Sequence, residues 1–368
     1  MVITCSQYEL LKGLNIVSKA VPTRTSNPIL ECILIDASTN DIRLTTNDME
    51  IGIETVIPGG INERGRVAID AKIFVDIVRN LPNNQVTITT DDKQMTQISC
   101  EKALFAVPGK NGDDFPYIPV IPRNVPIEIS QFTLRETIRQ TIFSTKENDK
   151  NQIMGGELFE VNGDHMRVSS LDGHRISIRN IHLQNSYEDR KVIVPAKTLK
   201  EISNIIGSSY DDIVSIYITD NHIIFEFDMT TVVSRLMDGE FFQVDKMLSN
   251  DYETKVMINR KELIESIRRS MLMVNESDKK PIVLDIYEQT FNMSVSTFKG
   301  NFDESLNIIK DGRDIKIAFN PKFLYEALNA IDDENATIYL LTPRSPLFIR
   351  DDAGSYIYLI LPVNFNGA

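Results

Sequence analysis

The sequence predicts an α+β protein made of three similar domains, each with two helices packed on a largely antiparallel sheet. Three observations lead to this fold class. Three windows of fifteen residues align without a gap, and each joins the end of a strand to a helical pattern. A second amphipathic pattern lies upstream of every window. The chain also has 368 residues, enough for two or three domains.

The aligned windows are Val67–Leu81, Val192–Ile206 and Ile317–Ile331. Their sixth position is a lysine each time, and these lysines recur at intervals of 125 residues. Positions eight, eleven and fifteen are apolar in all three windows. This i, i+3, i+7 spacing predicts a helix that packs through one face. Patterns typical of strands precede and follow each of these helices.

The upstream pattern begins with Ser6, Ser130 and Asn259, each a side chain suited to cap the N-terminus of a helix. Each third of the chain therefore reads as strand, helix, several strands, helix and several strands. The six predicted helices cover residues 6–20, 70–80, 131–144, 195–206, 259–271 and 320–331. A Pro-rich stretch at 116–126 and the segment 249–254 suggest the boundaries. The predicted domains are residues 1–123, 124–250 and 251–368.

The composition is that of a soluble globular protein, with 42% apolar and 25% charged residues. The formal net charge of −13 argues against a protein that grips phosphate through a broad basic surface. Neither a signal peptide nor an apolar run of about 20 residues is evident, so we expect no membrane association. Cys5, Cys32 and Cys100 are odd in number and widely spaced, which favours a reducing cytoplasm over a disulfide framework.

The charge is distributed unevenly between the predicted helices and the rest of the chain. The helices hold 13 Lys or Arg and 8 Asp or Glu, a balance of +5, which leaves −18 elsewhere. In each window the repeated lysine (Lys72, Lys197 or Lys322) lies two positions before an apolar residue, a rotation of about 200° around the helix. These lysines should therefore point away from the core. They could simply pair with the acid four residues later, but recurrence in three copies also fits a shared role.

Signals for catalysis are weak. The four histidines show no metal-ligand spacing, and Gly109-Lys-Asn-Gly lacks the remaining features of a phosphate-binding loop. Asp172 and His174 could bind a metal or share a proton, which leaves a metal-dependent hydrolase as one alternative. Asp-Gly more often forms a turn. We therefore expect no enzyme activity, no catalytic residues, no cofactor and no metal.

Several short motifs, in order along the whole chain, resemble those of the bacterial sliding-clamp family, the β subunit of DNA polymerase III. The matching motifs are Pro28-Ile-Leu, Thr46-Asn-Asp-Met-Glu, Asp114-Phe-Pro, Asp172-Gly-His-Arg, Val194-Pro-Ala-Lys, Asp238-Gly-Glu-Phe, Phe319-Asn-Pro-Lys-Phe and Tyr358-Leu-Ile-Leu-Pro-Val. Each motif alone is unspecific. Their order, their spacing and the threefold repeat carry the resemblance.

The resemblance implies a head-to-tail homodimer of the DNA clamp fold, a ring whose helices line a hole around double-stranded DNA. It would hold DNA by encirclement without sequence preference, and so confer processivity on a polymerase. Arg24, Asn148 and Lys197 match inward-facing positions of the family. Helix position alone adds further candidates for DNA contact: Arg135, Arg139, Lys200, Arg268 and Lys322.

The resemblance also implies a groove that binds short peptides from partner proteins. The expected partners are the clamp loader, the α subunit of DNA polymerase III, other polymerases, mismatch-repair proteins and ligase. The groove residues, carried over position by position, are Met154, Leu171, Gly173, His174, Arg175, Ile176, Phe242, Lys246, Met247, Phe323, Leu359, Ile360, Leu361, Pro362 and Val363.

This chain departs from the family pattern in the groove. Family members commonly have Thr at the position of Leu171, Pro at Phe242 and Arg at Lys246. They also commonly have a terminal Met-Arg-Leu near the position of Val363, whereas this chain has a tail, Phe365-Asn-Gly-Ala, instead. Partner choice could therefore differ, and a specialised clamp-like scaffold that no longer encircles DNA is a second alternative.

The dimer seam is expected to join the first domain of one protomer to the third domain of the other. The matching positions are Lys102, Phe105, Val107, Met271, Leu272, Asp303 and Glu304. With Leu104 at one of the family's basic positions, we expect apolar contact to outweigh ion pairs at this seam.

Overall fold

The structure is a computed structural model that describes residues 1–147, 149–274 and 280–364. The chain forms two compact units. The first unit contains Met1–Arg135 and Lys200–Leu236, and the second contains Glu136–Leu199 and the chain from Met237 onward.

Helices form at all six predicted positions. They are α1 (Gln7–Val17), α2 (Ala71–Asn80), α3 (Gln131–Thr141), α4 (Ala196–Ile205), α5 (Arg260–Met271) and α6 (Pro321–Ala330). The predicted caps are confirmed: the side chains of Ser6, Ser130 and Asn259 each accept a hydrogen bond from the backbone N–H three residues later. The predicted ends at residues 18–20 and 142–144 are short 3-10 helices.

The repeat has the expected inward and outward faces. Phe74, Leu199 and Leu324, at position eight of the windows, are at most 3% exposed. The lysines at position six, Lys72, Lys197 and Lys322, are all exposed. Position six therefore faces away from the core in all three copies, because the two positions lie on opposite sides of a helix.

The first unit is built around one antiparallel sheet of thirteen strands. Its strands are β1 (Val2–Ser6), β2 (Cys32–Asp36), β3 (Ile42–Asn47), β4 (Ile51–Ile57), β5 (Gly60–Glu63), β6 (Arg66–Asp70), β7 (Gln85–Thr90), β8 (Met95–Cys100), β9 (Ala103–Asn111), β10 (Ile127–Ser130), β13 (Ile213–Ile218), β14 (His222–Phe227) and β15 (Thr230–Arg235). Strands are numbered in chain order; β11 and β12 are absent from this sheet because they belong to the second unit.

The order in this sheet is β10-β13-β14-β15-β4-β3-β2-β6-β9-β8-β7-β1-β5. Strands of the central third of the chain therefore continue the sheet of the first third. They meet at β15 and β4, where Thr230 is opposite Thr55 and Ser234 is opposite Ile51. The hydroxyl groups of Thr55 and Thr230 lie 2.9 Å apart, so this junction includes a buried polar contact.

The second unit contains two antiparallel sheets. The seven-stranded sheet has the order β11-β12-β24-β23-β22-β16-β20, with β11 (Gly156–Leu171), β12 (Arg175–Pro195), β16 (Thr254–Asn259), β20 (Ile309–Gly312), β22 (Asn335–Leu340), β23 (Leu347–Arg350) and β24 (Tyr356–Ile360). The four-stranded sheet has the order β19-β18-β17-β21, with β17 (Ile282–Tyr287), β18 (Thr290–Thr297), β19 (Gly300–Asn307) and β21 (Ile315–Phe319). A core that includes Phe291, Phe319 and Tyr358 lies in this unit.

β11 and β12 form one long hairpin, and β12 pairs with β24 only over Arg175–Arg179. That junction is the second place where strands of the central third pair with another third of the chain. The fold class is confirmed, since α-helices lie on antiparallel sheets and every recorded strand pairing is antiparallel.

Among the described residues, no helix combines the length and the apolar character that a membrane crossing requires. Cys5, Cys32 and Cys100 are free and buried.

Candidate interaction sites

Five of the predicted groove residues belong to, or pack against, one apolar cluster of the second unit. Leu171, Ile176 and Leu359 are 3–4% exposed and pack with Phe241 and Phe348 to form the floor. Met154 and Phe242 are half-buried against the same cluster. Phe241 and Phe348 were not among the predicted groove residues, since they are not among the positions carried over from the family.

Three other predicted groove residues, here called the rim, are apolar and exposed. Met247, Leu361 and Val363 are 49%, 39% and 38% exposed. Lys246, in the same short 3-10 helix (Val244–Met247) as Met247, is exposed too. Asp245 in that helix pairs with Arg167 of β11, with 2.7 Å between Oδ1 and Nη1, and this contact ties the rim to the hairpin. Met247 is next in sequence to Leu248, which packs against the cluster, and exposed apolar side chains suit a site that receives apolar ligand groups.

Ile360 is 1% exposed and belongs to the main core of the second unit. Its side chain therefore offers almost no surface to a ligand. Leu171 and Ile176 likewise offer little surface of their own.

The last described residues are held by two backbone hydrogen bonds. The N–H of Leu361 donates to the carbonyl of His174 at 2.8 Å, and the N–H of Val363 donates to the carbonyl of Ala318 at 2.8 Å. These bonds place the chain after β24 beside the turn at residues 172–174. The tail at 365–368 that distinguishes this chain lies outside the described residues.

Arg175 organises the turn. Its side chain is 7% exposed, and Nε donates to Oδ2 of Asp172 at 2.9 Å. Its terminal nitrogens donate to the carboxylate of Glu326 and to the carbonyl of Phe143. Each guanidinium nitrogen of Arg175 donates a hydrogen bond within the chain. Arg175 therefore stabilises the turn and is not a free cation.

Two aromatic rings flank the Arg175 guanidinium. The ring centroid of Phe323 lies 4.5 Å from its central carbon, and that of Phe143 lies 5.1 Å away. The ring of His174 stacks near Phe323, with 6.0 Å between centroids, and His174 remains exposed. The sequence does not indicate that Phe143 and Glu326 contact Arg175, because these contacts arise only from tertiary packing.

Asp172 has the structural role that its Asp-Gly context suggests. Its Oδ1 accepts hydrogen bonds from the backbone N–H groups of His174, at 2.9 Å, and of Arg175, at 3.2 Å. The carboxylate thus closes a turn in which Gly173 has a φ of +83°, a value that suits glycine. An Asp that is fully engaged in a turn and an ion pair is a poor metal ligand or proton carrier.

The candidate DNA-contacting side chains differ in availability. Arg24, Arg135, Lys197, Arg268 and Lys322 are exposed, and Lys200 is half-buried. Arg139 is bound to Asp332 at 2.8 Å and to Glu136, and it donates to the carbonyl of Asn329. Arg139 therefore has partners within its own chain that a phosphate contact would have to replace. Asn148 lies outside the described residues.

The candidate dimer residues lie on β9 and β19, in the turn before β9 and at the end of α5. Phe105 on β9 is 39% exposed and Leu272, after α5, is 73% exposed, whereas Val107 is 9% exposed and Met271 is half-buried. Lys102 and Asp303 are exposed. Glu304 accepts hydrogen bonds from Arg269 and Ser266 in its own chain, and the Arg269 bond holds the pKa of Glu304 below its usual value. Glu304 is therefore already paired within the protomer.

The sequence matches three family models along the chain. The N-terminal, central and C-terminal domains of the DNA polymerase III beta subunit match residues 1–119, 128–243 and 245–364. A beta sliding clamp from Staphylococcus epidermidis is 29% identical, and the alignment covers 99% of each chain.

Solved structures show the same relationship in three dimensions. One from Eubacterium rectale, described as a DNA polymerase III beta subunit, is 59% identical with a TM-score of 0.97 and covers 99% of this chain and 100% of its own. The DNA polymerase sliding clamp from Bacillus subtilis is 27% identical with a TM-score of 0.96 and covers 100% of both chains. The chain therefore belongs to the family of DNA polymerase III beta subunits, the bacterial sliding clamps.

Proposed function

We propose that two copies of this chain close head to tail around duplex DNA and that the groove of the second unit captures partner peptides. The observation that carries the groove assignment is the difference in exposure among its apolar residues. Leu171 and Leu359 are buried, whereas Met247, Leu361 and Val363 of the rim are exposed.

As a member of its family, the chain is a DNA sliding clamp that confers processivity on a polymerase and is not an enzyme. The family assignment replaces the hydrolase alternative, and the engagement of Asp172 in its turn agrees with this. The proposed partners are double-stranded DNA, a second copy of the chain, the clamp loader and DNA polymerases, with mismatch-repair proteins and ligase as further clients. We propose that the protein acts in the cytoplasm.

An exposed rim of flexible apolar side chains suits several peptides rather than one. Methionine adapts its shape to different apolar groups, so Met154 and Met247 can adjust to different ligands. Arg175 and Asp172 keep the adjoining turn in one conformation, which reduces the entropy that binding must overcome. His174, Lys246 and Gly173 offer polar and backbone contacts at the rim.

The groove is tested with a fluorescent peptide copied from the polymerase α subunit of the same organism. Met247→Glu places a charge on the rim and should weaken binding at least tenfold, measured by fluorescence anisotropy. Met229→Glu is the matched control, since Met229 is 62% exposed and lies in the first unit. Equal affinity of both variants and the unmodified protein would contradict the groove.

DNA would be held by topology, with weak contacts from exposed cations on the helices and nearby loops. Lys or Arg to phosphate contacts carry no sequence information and allow sliding. Arg24, Lys197 and Lys322 are the leading candidates, whereas Arg139 is a weaker one because two carboxylates already hold it.

Encirclement is tested by loading the protein on nicked circular DNA and then linearising the circle. A ring should be retained on the circle and lost from the linear molecule, whereas equal retention on both would contradict the topological mechanism. Joint reversal of Arg24 and Lys197 to Glu should reduce loading and leave peptide affinity unchanged. Lys93→Glu, on an exposed turn, is the control. The scaffold alternative predicts peptide binding with no retention on either DNA.

For the dimer seam, we propose pairing between β9 and β19. Within the described residues, β19 pairs with β18 alone, and residues 103–108 of β9 pair with β8 alone. Each strand therefore has one edge available for a second copy. We further propose that the three domains meet near residues 123 and 250, as the repeat suggests.

A further inference from the structure

Two histidines and an aspartate lie together on the β11–β12 hairpin, apart from the groove residues. His165 of β11 is opposite His182 of β12, and their ring centroids are 4.1 Å apart. Nδ1 of His165 lies 2.6 Å from Oδ1 of Asp164. One potential ligand atom from each of the three side chains lies within 4.8 Å of the other two. Among the described residues, no other group of three His, Cys, Asp or Glu side chains comes together in this way.

An irregularity in the hairpin brings these side chains together. Neighbouring residues of a regular strand point to opposite faces, yet Asp164 and His165 are in contact. Gly163 pairs with Tyr187 and His165 pairs with His182, so Asp164 alone lies opposite residues 183–186. Gly163 has a φ of +58°, which glycine adopts readily. Bulges of this kind commonly redirect a side chain beside a functional site.

The three side chains are also accessible. All three residues are exposed. β12 pairs with β24 only as far as Arg179, so His182 lies where the hairpin has two strands alone. An ion from solvent could reach the imidazole nitrogens without displacing core residues. The backbone ladder already fixes the two histidines opposite each other.

We propose that Asp164, His165 and His182 form a binding site for a divalent transition-metal ion, with zinc as the reference ion. Imidazole nitrogen and carboxylate oxygen bind Zn²⁺ at about 2.0–2.2 Å. Ligand atoms that now lie within 4.8 Å of one another need only side-chain rotation to converge on one ion. Two imidazoles favour Zn²⁺, Ni²⁺ or Cu²⁺ over Mg²⁺ and Ca²⁺, which prefer oxygen ligands.

Asp164 can contribute in either of two ways. It can ligate directly, or it can hold Nδ1 of His165 so that Nε2 faces the ion, as carboxylates commonly do for metal-bound histidines. In both cases the protein offers at most three ligands and leaves room for water or an outside donor. His165 and His182 are distant in sequence, so no local motif signals the site; the strand register reveals it.

The test is a titration of the untagged, full-length protein with Zn²⁺ by calorimetry and with Co²⁺ by visible absorption. We expect saturation at one ion per chain. His182→Ala should lower the affinity at least tenfold, and Asp164→Asn should lower it by a factor of about 10. His222→Ala is the control, because His222 lies in the first unit and should leave binding unchanged.

A thermal unfolding series separates a loss of the site from a loss of the fold. Zn²⁺ should raise the melting temperature of the unmodified protein and leave that of the double variant His165→Ala/His182→Ala unchanged, because only a folded-state site stabilises by mass action. Two outcomes would overturn the proposal. One is undiminished zinc affinity in the double variant, and the other is no saturation of the unmodified protein below about 1 mM zinc.

Discussion

The guanidinium carbon of Arg175 lies 4.5 Å from the centroid of the Phe323 ring while its nitrogens bind Asp172 and Glu326. One buried cation thus joins the turn before β12 to helix α6, and the backbone of that turn accepts a hydrogen bond from Leu361 of the proposed rim. A change at Arg175 should therefore affect both the stability of the second unit and the proposed groove.

Replacement of Arg175 by Met should destabilise the protein and impair the groove together. It leaves the Asp172 carboxylate, which is 10% exposed, without its charged partner. Breaking such a pair typically costs about 3 kcal/mol. We expect a lower midpoint of urea-induced unfolding and weaker peptide binding. Arg190→Met, which breaks an exposed pair with Glu188, should change the midpoint little. A similar small effect at both positions would argue against the structural role of Arg175.

The repeat offers a matched pair of stability mutations in α6. Leu324 is 3% exposed, so Leu324→Ala should cost about 2–5 kcal/mol through lost burial and a cavity. Lys322→Ala, two positions earlier and exposed, should change stability by no more than about 0.5 kcal/mol. Chemical unfolding of both variants measures the difference. A large effect at Lys322 would instead show that its 3.9 Å approach to Glu326 matters for folding.

Mild acid should weaken the first unit through His222. Burial, with the nearby charge of Arg235, lowers the pKa of His222 below its usual value of 6.5. The unfolded chain therefore binds this proton more tightly, so the stabilisation is present above about pH 6.5 and is lost as the pH falls from there through the lower pKa of the folded state. His222 lines a crevice with Tyr117, Ile118 and Pro119 of the Pro-rich stretch at 116–126, here called the linker, so this segment should loosen as well.

The comparison is the urea midpoint of the unmodified protein and of His222→Asn at pH 7 and pH 5. The unmodified protein should lose more stability on acidification. An identical loss in both would remove His222 from the explanation, and protease cleavage in the linker provides an independent reading.

The proposed seam should resist salt. At about 1 M salt the Debye length is near 3 Å, so exposed ion pairs contribute little there. A dimer held mainly by Phe105 and Leu272 should persist in sedimentation experiments under these conditions. Phe105→Glu should yield monomers, whereas Lys102→Glu should leave the dimer largely intact. Dissociation of the unmodified protein at modest salt would instead assign the seam to ion pairs.

Much of the local structure was predictable because it depends on short-range chemistry. Ser6, Ser130 and Asn259 cap helices through their own side chains, and Phe74, Leu199 and Leu324 are buried where the 3.6-residue period places them. The groove residues came from the resemblance to the family. The contacts that hold them, such as those of Arg175 with Phe143 and Glu326, have no local signature.

The sequence by itself determined the threefold repeat, the six helices and the exposed position of the repeated lysines, because caps and apolar periods act over a few residues. The tertiary structure alone decided which strands meet: β15 with β4, β12 with β24, and His165 with His182 across an irregular hairpin. The physical reason is that an alternating strand pattern defines its two faces but not its neighbour. Partner and register depend on packing between distant parts of the chain.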